Sequence, residues 1–513
     1  MKQWVLGGPI LILATCLVLL FFDANPAEAA PPSGFEDRAV ANIPAPTATA
    51  FTPDGRLLVT SQPGRLYVRT TAGATTVALD IAGKTCSGQT ERGMLGAAVD
   101  PDFAANNFVY IYYTESRSGV CVNRVSRFTL LDSNAATDEF PVIGNIPSPS
   151  CCHQGGDIHF GKDGNLYVSV GDGATQGGQL AQRSSSLLGK ILRVRPTATG
   201  YDIPAGNPFT GPDSVRCSDS GEAASGPPCQ EVFALGLRNP FRMAFDPNTP
   251  GTETRFFIND VGQNTWEEVD EGRAGANYGW PLREGPCAQG STTNCGTITG
   301  FTNPIHSYPH SSGCRSITGG AFVPDGLWAG YDGSYLYADF VCDTVFRLSP
   351  NTAGGFARSV FDGCLGSPTS LTFGPAGATQ GLYYTTYANG GEVRLIVQTG
   401  STSQQPPCPP PPAEPNTSRP VILSPRPAPG AKIKDRTPRI TALVRDAQTD
   451  LSRNNIRLYF DGRLKRSFSY DRAANRLSYV TPRLRVGRHS VRIVASDGQG
   501  RSNARSWSFV VRK

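Results

Sequence analysis

The stretch FGKDGNLYVSVGD, residues 160–172, decides the reading of the fold. An aromatic residue leads into a small polar turn built on Asp163-Gly164, and then into a run of alternating β-branched and aromatic residues. This is the signature of a tight turn feeding a half-buried strand. The pattern recurs. It stands as Phe51-Thr-Pro-Asp-Gly before RLLVT, Val99-Asp-Pro-Asp-Phe before FVYIYYT, and Phe245-Asp-Pro before RFFINDVG. Phe322-Val-Pro-Asp-Gly before SYLYADF and Phe373-Gly-Pro before GLYYTTY complete six copies. Copies spaced by roughly 50 to 85 residues, with no helical periodicity between them, are what radially packed four-stranded blades produce. The expectation is all-β: a six-bladed β-propeller over residues 35–398. A tandem of unrelated β-domains sharing common turns is the competing reading.

Composition agrees with many short strands and turns. The 513 residues include 57 Gly and 42 Pro without collagen periodicity, and only 17% are charged. Residues 1–29 read as a signal peptide: Lys2 is followed by an apolar run from Val5 to Phe22 and by Ala27-Glu28-Ala29, small residues suited to cleavage. A retained membrane anchor is the alternative. The expected location is secreted, periplasmic or cell-envelope. Twelve of the 13 cysteines follow the signal, an even number in a protein bound for an oxidising compartment, so disulfides are expected. Short loops suggest Cys217–Cys229 and Cys287–Cys295. The adjacent Cys151 and Cys152 are read as each bridging a distant partner, with a vicinal disulfide as the alternative.

Residues 399–418 contain QQPPCPPPPAEP, a polyproline-type spacer. Beyond it, residues 419–513 hold short alternating strands such as NIRLYFDG and HSVRIVASDG, the pattern of a small immunoglobulin-like β-sandwich. Charge divides at the spacer. Residues 419–513 carry 22 Lys+Arg against 6 Asp+Glu, and the rest of the chain 25 against 36, so the overall +5 conceals a strongly basic module. Such a module on an exported protein points to an anionic cell-surface polymer as partner, with a merely solvated sandwich as the plain alternative. Nucleic acid is not expected, because no nucleic-acid-binding motif is present.

Of five histidines, His153 stands apart. It sits in Cys151-Cys152-His153-Gln154-Gly155-Gly156, a small-residue loop just ahead of a blade strand, where a propeller presents side chains to its central channel. An imidazole there is suited to take a proton from an alcohol. Asp172 follows across one hairpin and is placed to orient it. A loop histidine satisfied by backbone is the plain alternative.

Five segments carry a resemblance: GMLGAAVDPDFAANNFVYIYYT (93–114), HQGGDIHFGKDGNLYVSVGDGA (153–174), LGKILRVRP (188–196), ALGLRNPFRMAFDP (234–247) and NDVGQNTWEEVDEGRAGANYGWP (259–281). In this order they resemble the glucose/sorbosone dehydrogenase family, which includes soluble quinoprotein glucose dehydrogenase and aldose sugar dehydrogenase. The resemblance implies oxidation of the anomeric hydroxyl of an aldose, with hydride passing to pyrroloquinoline quinone (PQQ) beside Ca2+, and electrons leaving to an unknown acceptor. It implies His153 as general base and Asp172 as its partner, Arg238 and Asn239 on the quinone, Glu91 at the substrate, and the backbone carbonyls of Gly262 and Gln263 on calcium. A structural salt bridge is the alternative for Arg238, and a surface carboxylate for Glu91.

The sequence also departs from the family. Where quinone-binding members carry cations in later blades, this chain has uncharged residues near Val341 and at Ser367 to Thr369, with Arg315 as a replacement. Unpaired carboxylates of the cofactor would be costly in a partly dry cleft. The competing functions are a non-catalytic propeller that binds glycans or proteins, and a hydrolytic propeller of lactonase type.

Overall fold

The computed structural model describes residues 31–88, 91–220, 226–352, 354–400, 419–446, 451–472, 474–497 and 501–513. The signal-peptide reading of residues 1–29 and most of the Pro-rich spacer lie outside these. The chain forms two compact units, Met1–Cys408 and Pro409–Lys513. No helix among the described residues is long and apolar enough to cross a membrane.

In the first unit, each copy of the turn-and-strand pattern becomes a hairpin between the first two strands of a sheet. Asp163 shows why the pattern works: its carboxylate accepts hydrogen bonds from the Asn165 backbone and side chain and from the Tyr167 hydroxyl. Gly164 supplies the positive φ of +73° that the reversal needs. Six antiparallel sheets of four strands result, the third with one added strand. Their first strands are Pro46–Phe51, Met94–Val99, Gly155–Phe160, Pro240–Phe245, Ile317–Phe322 and Pro368–Ala376. Each neighbours the next, and the sixth neighbours the first, so the sheets close a ring. The N-terminal strand Phe35–Asn42 pairs with Glu392–Gln398 as the outer strand of the sixth sheet, tying the two ends of this unit together.

The first strands are crowded around the ring's centre. A Cβ on Gly96 would lie 2.3 Å from the Gly156 carbonyl oxygen, so side chains there would wedge the second and third sheets apart. Apolar cores fill the spaces between successive sheets. One runs from Tyr110 and Tyr112 to Val168 and Leu192, and another joins Phe257 to Phe322 and Tyr335.

Disulfides staple the loops: Cys86–Cys121, Cys217–Cys229, Cys287–Cys295 and Cys314–Cys342, with Cys364 also disulfide-bonded. The two short-loop pairs expected from spacing are among them. The expectation of distant bridges from Cys151 and Cys152 does not hold: their Sγ atoms lie 2.6 Å from one another. Neighbours in sequence, held by a tight loop, face each other more readily than they reach across a sheet.

The second unit packs a four-stranded sheet, containing Val421–Arg426, Arg439–Arg445 and Arg476–Val480, against a five-stranded sheet containing Ile456–Phe460, Gly487–Ser496 and Ser502–Val511. Their inward residues form one core that includes Ile440, Leu477, Leu458, Ile493, Trp507 and Phe509. Alternation along Arg439–Arg445 and Ile456–Phe460 leaves Arg439, Arg445 and Arg457 facing out, whereas Arg505 shares the parity of Trp507 and Phe509 and donates to the Ile422 carbonyl.

Candidate active site

Topology gathers the candidate residues at one end of the ring. Each first strand starts there, and each second strand returns there. Glu91 precedes the first strand of the second sheet, His153 that of the third, Arg238-Asn239 that of the fourth and Arg315 that of the fifth. Asp172 follows the second strand of the third sheet, and Gly262-Gln263 that of the fourth.

Gly155 pairs with Val170, which carries Asp172 back to His153. Gly171 permits the approach, because a Cβ there would lie 2.1 Å from the His153 carbonyl oxygen. His153 itself adopts a left-handed backbone, φ +56°. Its Nδ1 lies 2.6 Å from Asp172 Oδ1, and its Nε2 lies 2.8 Å from Arg238 Nη2. A guanidinium can only donate, so Nε2 is the acceptor and the ring proton sits on Nδ1, donated to Asp172. The basic lone pair is thus the one directed away from the carboxylate, toward Arg238. Asp172 is itself held: Oδ2 accepts from Trp280 Nε1 at 2.8 Å and Oδ1 from the Ala174 amide at 2.7 Å. The His153 side chain keeps 14% exposure while Asp172 keeps 2%, so only the imidazole reaches the mouth.

Arg238 is braced by amide chemistry and makes no salt bridge among the described residues. Its guanidinium donates to Gln263 Oε1 and to the Val261 carbonyl, and lies over the Trp280 ring at 5.6 Å. The backbone amides of Arg238 and Asn239 both donate to the buried Asp260 carboxylate, at 2.9 and 2.6 Å. Glu91 Oε2 accepts from the His153 amide at 2.6 Å and from Asn239 Nδ2 at 3.1 Å, and therefore fixes the backbone of the histidine loop.

The Gly262-Gln263 turn is set by Glu284. Its Oε1 accepts the amides of Gln263, Asn264, Thr265 and Trp266, which holds the Glu284 carboxyl below its usual range against the opposing effect of burial. A trans peptide points its carbonyl opposite to its amide. The Gly262 and Gln263 carbonyls therefore turn away from Glu284, the orientation a carbonyl-ligated cation requires. Beside them, Asp260, Glu268 and Asp270 offer oxygens within 4.8 Å of one another, all buried. Burial, with Asp172 adding repulsion, raises the carboxyl of Asp260 to about 7; burial, reinforced by the charge of neighbouring carboxylates in the cluster, raises those of Glu268 and Asp270 well above the usual range. Glu268 Oε2 and both Asp270 oxygens have no hydrogen-bond partner among the described residues. Such a donor set fits a hard cation with oxygen ligands.

Arg315 lies half-buried in the loop held by Cys314–Cys342, one sheet beyond Arg238. Residues Val341 and Ser367 to Thr369 also fall at this end of the ring. They are spent on structure, the Val341 amide donating to Asp339 and Thr369 Oγ1 to the Pro46 carbonyl. Sequence reasoning missed Trp280, Asp260, Glu284 and Arg92. Arg92 stands at the start of the second sheet's first strand and donates Nε to Ser148 Oγ. Trp280 and Asp260 left a signal in the sequence, both standing in the family segment 259–281. The donor set Arg92, Arg238 and Arg315, with Asn239, has the chemistry to meet a planar tricarboxylate.

The sequence profile of the Glucose / Sorbosone dehydrogenase family matches residues 43–359, more than half of the chain. The chain belongs to this family. Among solved structures, the PQQ-bound aldose sugar dehydrogenase of Streptomyces coelicolor is similar at 26% identity and TM-score 0.55, covering 72% of this chain and 99% of that one. The HIPL2 protein of Arabidopsis thaliana is 29% identical over 68% of this chain and 60% of its own length. Human Hedgehog-interacting protein is 28% identical over 31% of this chain and 23% of its own length. The chain thus spans less than two thirds of these curated relatives. The family brings a sugar-dehydrogenase-like propeller fold to the first unit.

Proposed function

We propose that this protein is an exported aldose dehydrogenase dependent on PQQ and Ca2+, built as a six-bladed propeller followed by an immunoglobulin-like sandwich. One observation carries the reading: His153 presents the lone pair of Nε2 at the mouth of the ring while Asp172 holds Nδ1–H. When bound, PQQ would supply the acceptor for the hydride of the anomeric carbon. Arg238, Asn239 and Arg315 would hold it, with Arg92 as a further cation. His153 Nε2 takes the proton of the sugar hydroxyl, and Asp172 stabilises the resulting imidazolium through a short, buried hydrogen bond. Glu91 and Asn239 keep the histidine loop in register. For this to happen Arg238 must release Nε2, which frees its guanidinium for an anionic oxygen. The carbonyls of Gly262 and Gln263 and the Asp260–Glu268–Asp270 cluster are the proposed calcium ligands. The electrons leave to an acceptor outside the molecule, and the basic second unit holds the enzyme to an anionic cell-surface polymer. The signal-like N-terminus and the disulfides support export.

Titrating purified apoprotein with PQQ and Ca2+, and following absorbance and dye reduction over an aldose panel, tests the reading. Spectral change with turnover supports it; neither appearing sinks it. A second reading, a non-catalytic propeller that binds glycans or proteins, is favoured by the uncharged Val341 and Ser367 to Thr369 and by similarity to Hedgehog-interacting protein. Calcium uptake without PQQ uptake would select it.

A further inference from the structure

The outer face of the five-stranded sheet in the second unit is uneven in a way that net charge does not require. Along Ser502–Val511 the outward positions Ala504, Ser506 and Ser508 are small, which leaves a shallow trough closed at one end by Val510, between Lys432 and Arg488. On one side stands Lys432, from the strand paired in parallel with Val510–Val511. On the other stand Arg488, Ser490 and Arg492, outward on Gly487–Ser496. One strand further, Tyr459 lies directly opposite Arg492, and Arg457 lies two positions along on the same face. Arg457 and Arg492 are therefore diagonal neighbours, about 7–8 Å apart at the backbone.

Lys432, Arg457, Arg488 and Arg492 are all exposed. Among the described residues, no carboxylate belongs to the outward positions of these strands. Asp461, in the turn after Ile456–Phe460, is engaged by His489 Nδ1 and the Ser490 amide. The opposite sheet differs in its charge: its outward Arg476 pairs in register with Asp471. Exposed apolar residues occur on both faces, Val421, Leu423 and Val480 on that sheet and Leu464, in register with Tyr459, on this one. The module's 22 cations include only four lysines, a bias toward the planar fork that grips carboxylates bidentately.

We infer that the outer face of the five-stranded sheet binds a linear carboxylated polysaccharide, a polyuronate. The trough of small residues takes the chain, the serine hydroxyls meet sugar hydroxyls, Tyr459 offers a half-exposed ring for a pyranose face, and Arg457, Arg488 and Arg492 pair with carboxylates. A phospholipid surface would not need the hydroxyls or the trough. This inference deepens the anionic-surface role proposed above and rests on it.

The test uses the full-length protein at low salt in affinity electrophoresis through polygalacturonate, through a neutral glucan, and with vesicles containing anionic phospholipid. Retention is expected on polygalacturonate alone. Arg457→Ser with Arg492→Ser should weaken it at least tenfold, as should Ser506→Trp, which fills the trough. Tyr459→Ala should weaken it several-fold, and Arg439→Ser with Arg445→Ser, on the opposite sheet, should change it less than twofold. Thermal melts establish that each variant is folded. Equal loss from the opposite-sheet pair, or unchanged retention with Ser506→Trp, overturns the face while leaving a diffuse anionic role. Equal binding to vesicles overturns the polysaccharide. Retention on no polyanion overturns both this inference and the role beneath it.

Discussion

His153 is worth its position only if Nδ1 keeps its partner while Nε2 is given up to the substrate. Asp172 fixes the proton on Nδ1, and Trp280 and the Ala174 amide prevent Asp172 from turning away. His153→Ala should therefore lower turnover on an aldose by at least about a hundredfold, the scale of a lost general base. PQQ and calcium binding should persist, because Arg238 remains held by Gln263 and Val261. Asp172→Asn should cost less, by weakening support for the imidazolium while leaving the base in place. Steady-state kinetics on quinone-loaded protein, with melts in parallel, checks both. A folded, loaded His153→Ala protein with near-normal turnover removes the histidine from the chemistry. At this scale much was legible: His153 and Asp172 stand in quoted family segments, and one hairpin joins them. What Glu91 touches was not. Its bond to the His153 amide spans two sheets, and no local pattern encodes a partner 62 residues away.

Strands of the ring carry buried charge that the alternating pattern does not announce. Asp362, on the outer strand Phe356–Gly363 of the fifth sheet, is 1% exposed, and one of its oxygens has no hydrogen-bond partner among the described residues. Burial, with Asp37 adding repulsion, raises its carboxyl to about 8. The folded protein then keeps a proton that the unfolded chain releases near pH 4, so stability falls as pH rises from about 4 to 8. Asp362→Asn removes that dependence. Its melting temperature should exceed that of the parent at pH 8 and match it at pH 4; a lower value at pH 8 would contradict the assignment. The strand pair Phe256–Asp260 and Trp266–Glu271 poses the same problem with three carboxylates, Asp260, Glu268 and Asp270. If Ca2+ neutralises them, chelation should lower the melting temperature and Asp270→Asn should abolish the response. If protons do, chelation should change nothing and Asp270→Asn should stabilise. The turn-and-strand repeat identified Phe256–Asp260, but the clustering of these acids follows from register between strands, which a single sequence leaves open.

At the scale of the molecule, repetition made the ring legible. Six similar turns, each needing the same Asp or Gly chemistry, fall one to a sheet, and closure by Phe35–Asn42 uses a strand that precedes the first of them. The basic character of residues 419–513 was equally visible, whereas its uneven distribution emerged only once pairing put Ser506, Arg492 and Tyr459 in one row. Each unit has its own apolar core and its own complete sheets. The pairing of Phe35–Asn42 with Glu392–Gln398 completes the first unit without any residue beyond 408. Deleting residues 420–513 should therefore leave sugar oxidation and the melting of the first unit unchanged, while retention on an anionic polymer is lost. In the parent protein that retention should decline with salt, as the reach of exposed charge contracts to about 8 Å at physiological ionic strength. Calorimetry should show two transitions in the full chain and one in the truncated chain. A truncated protein that unfolds several degrees earlier, or loses turnover, would mean that the second unit supports the first, and that its arginines do more than hold the enzyme to a surface.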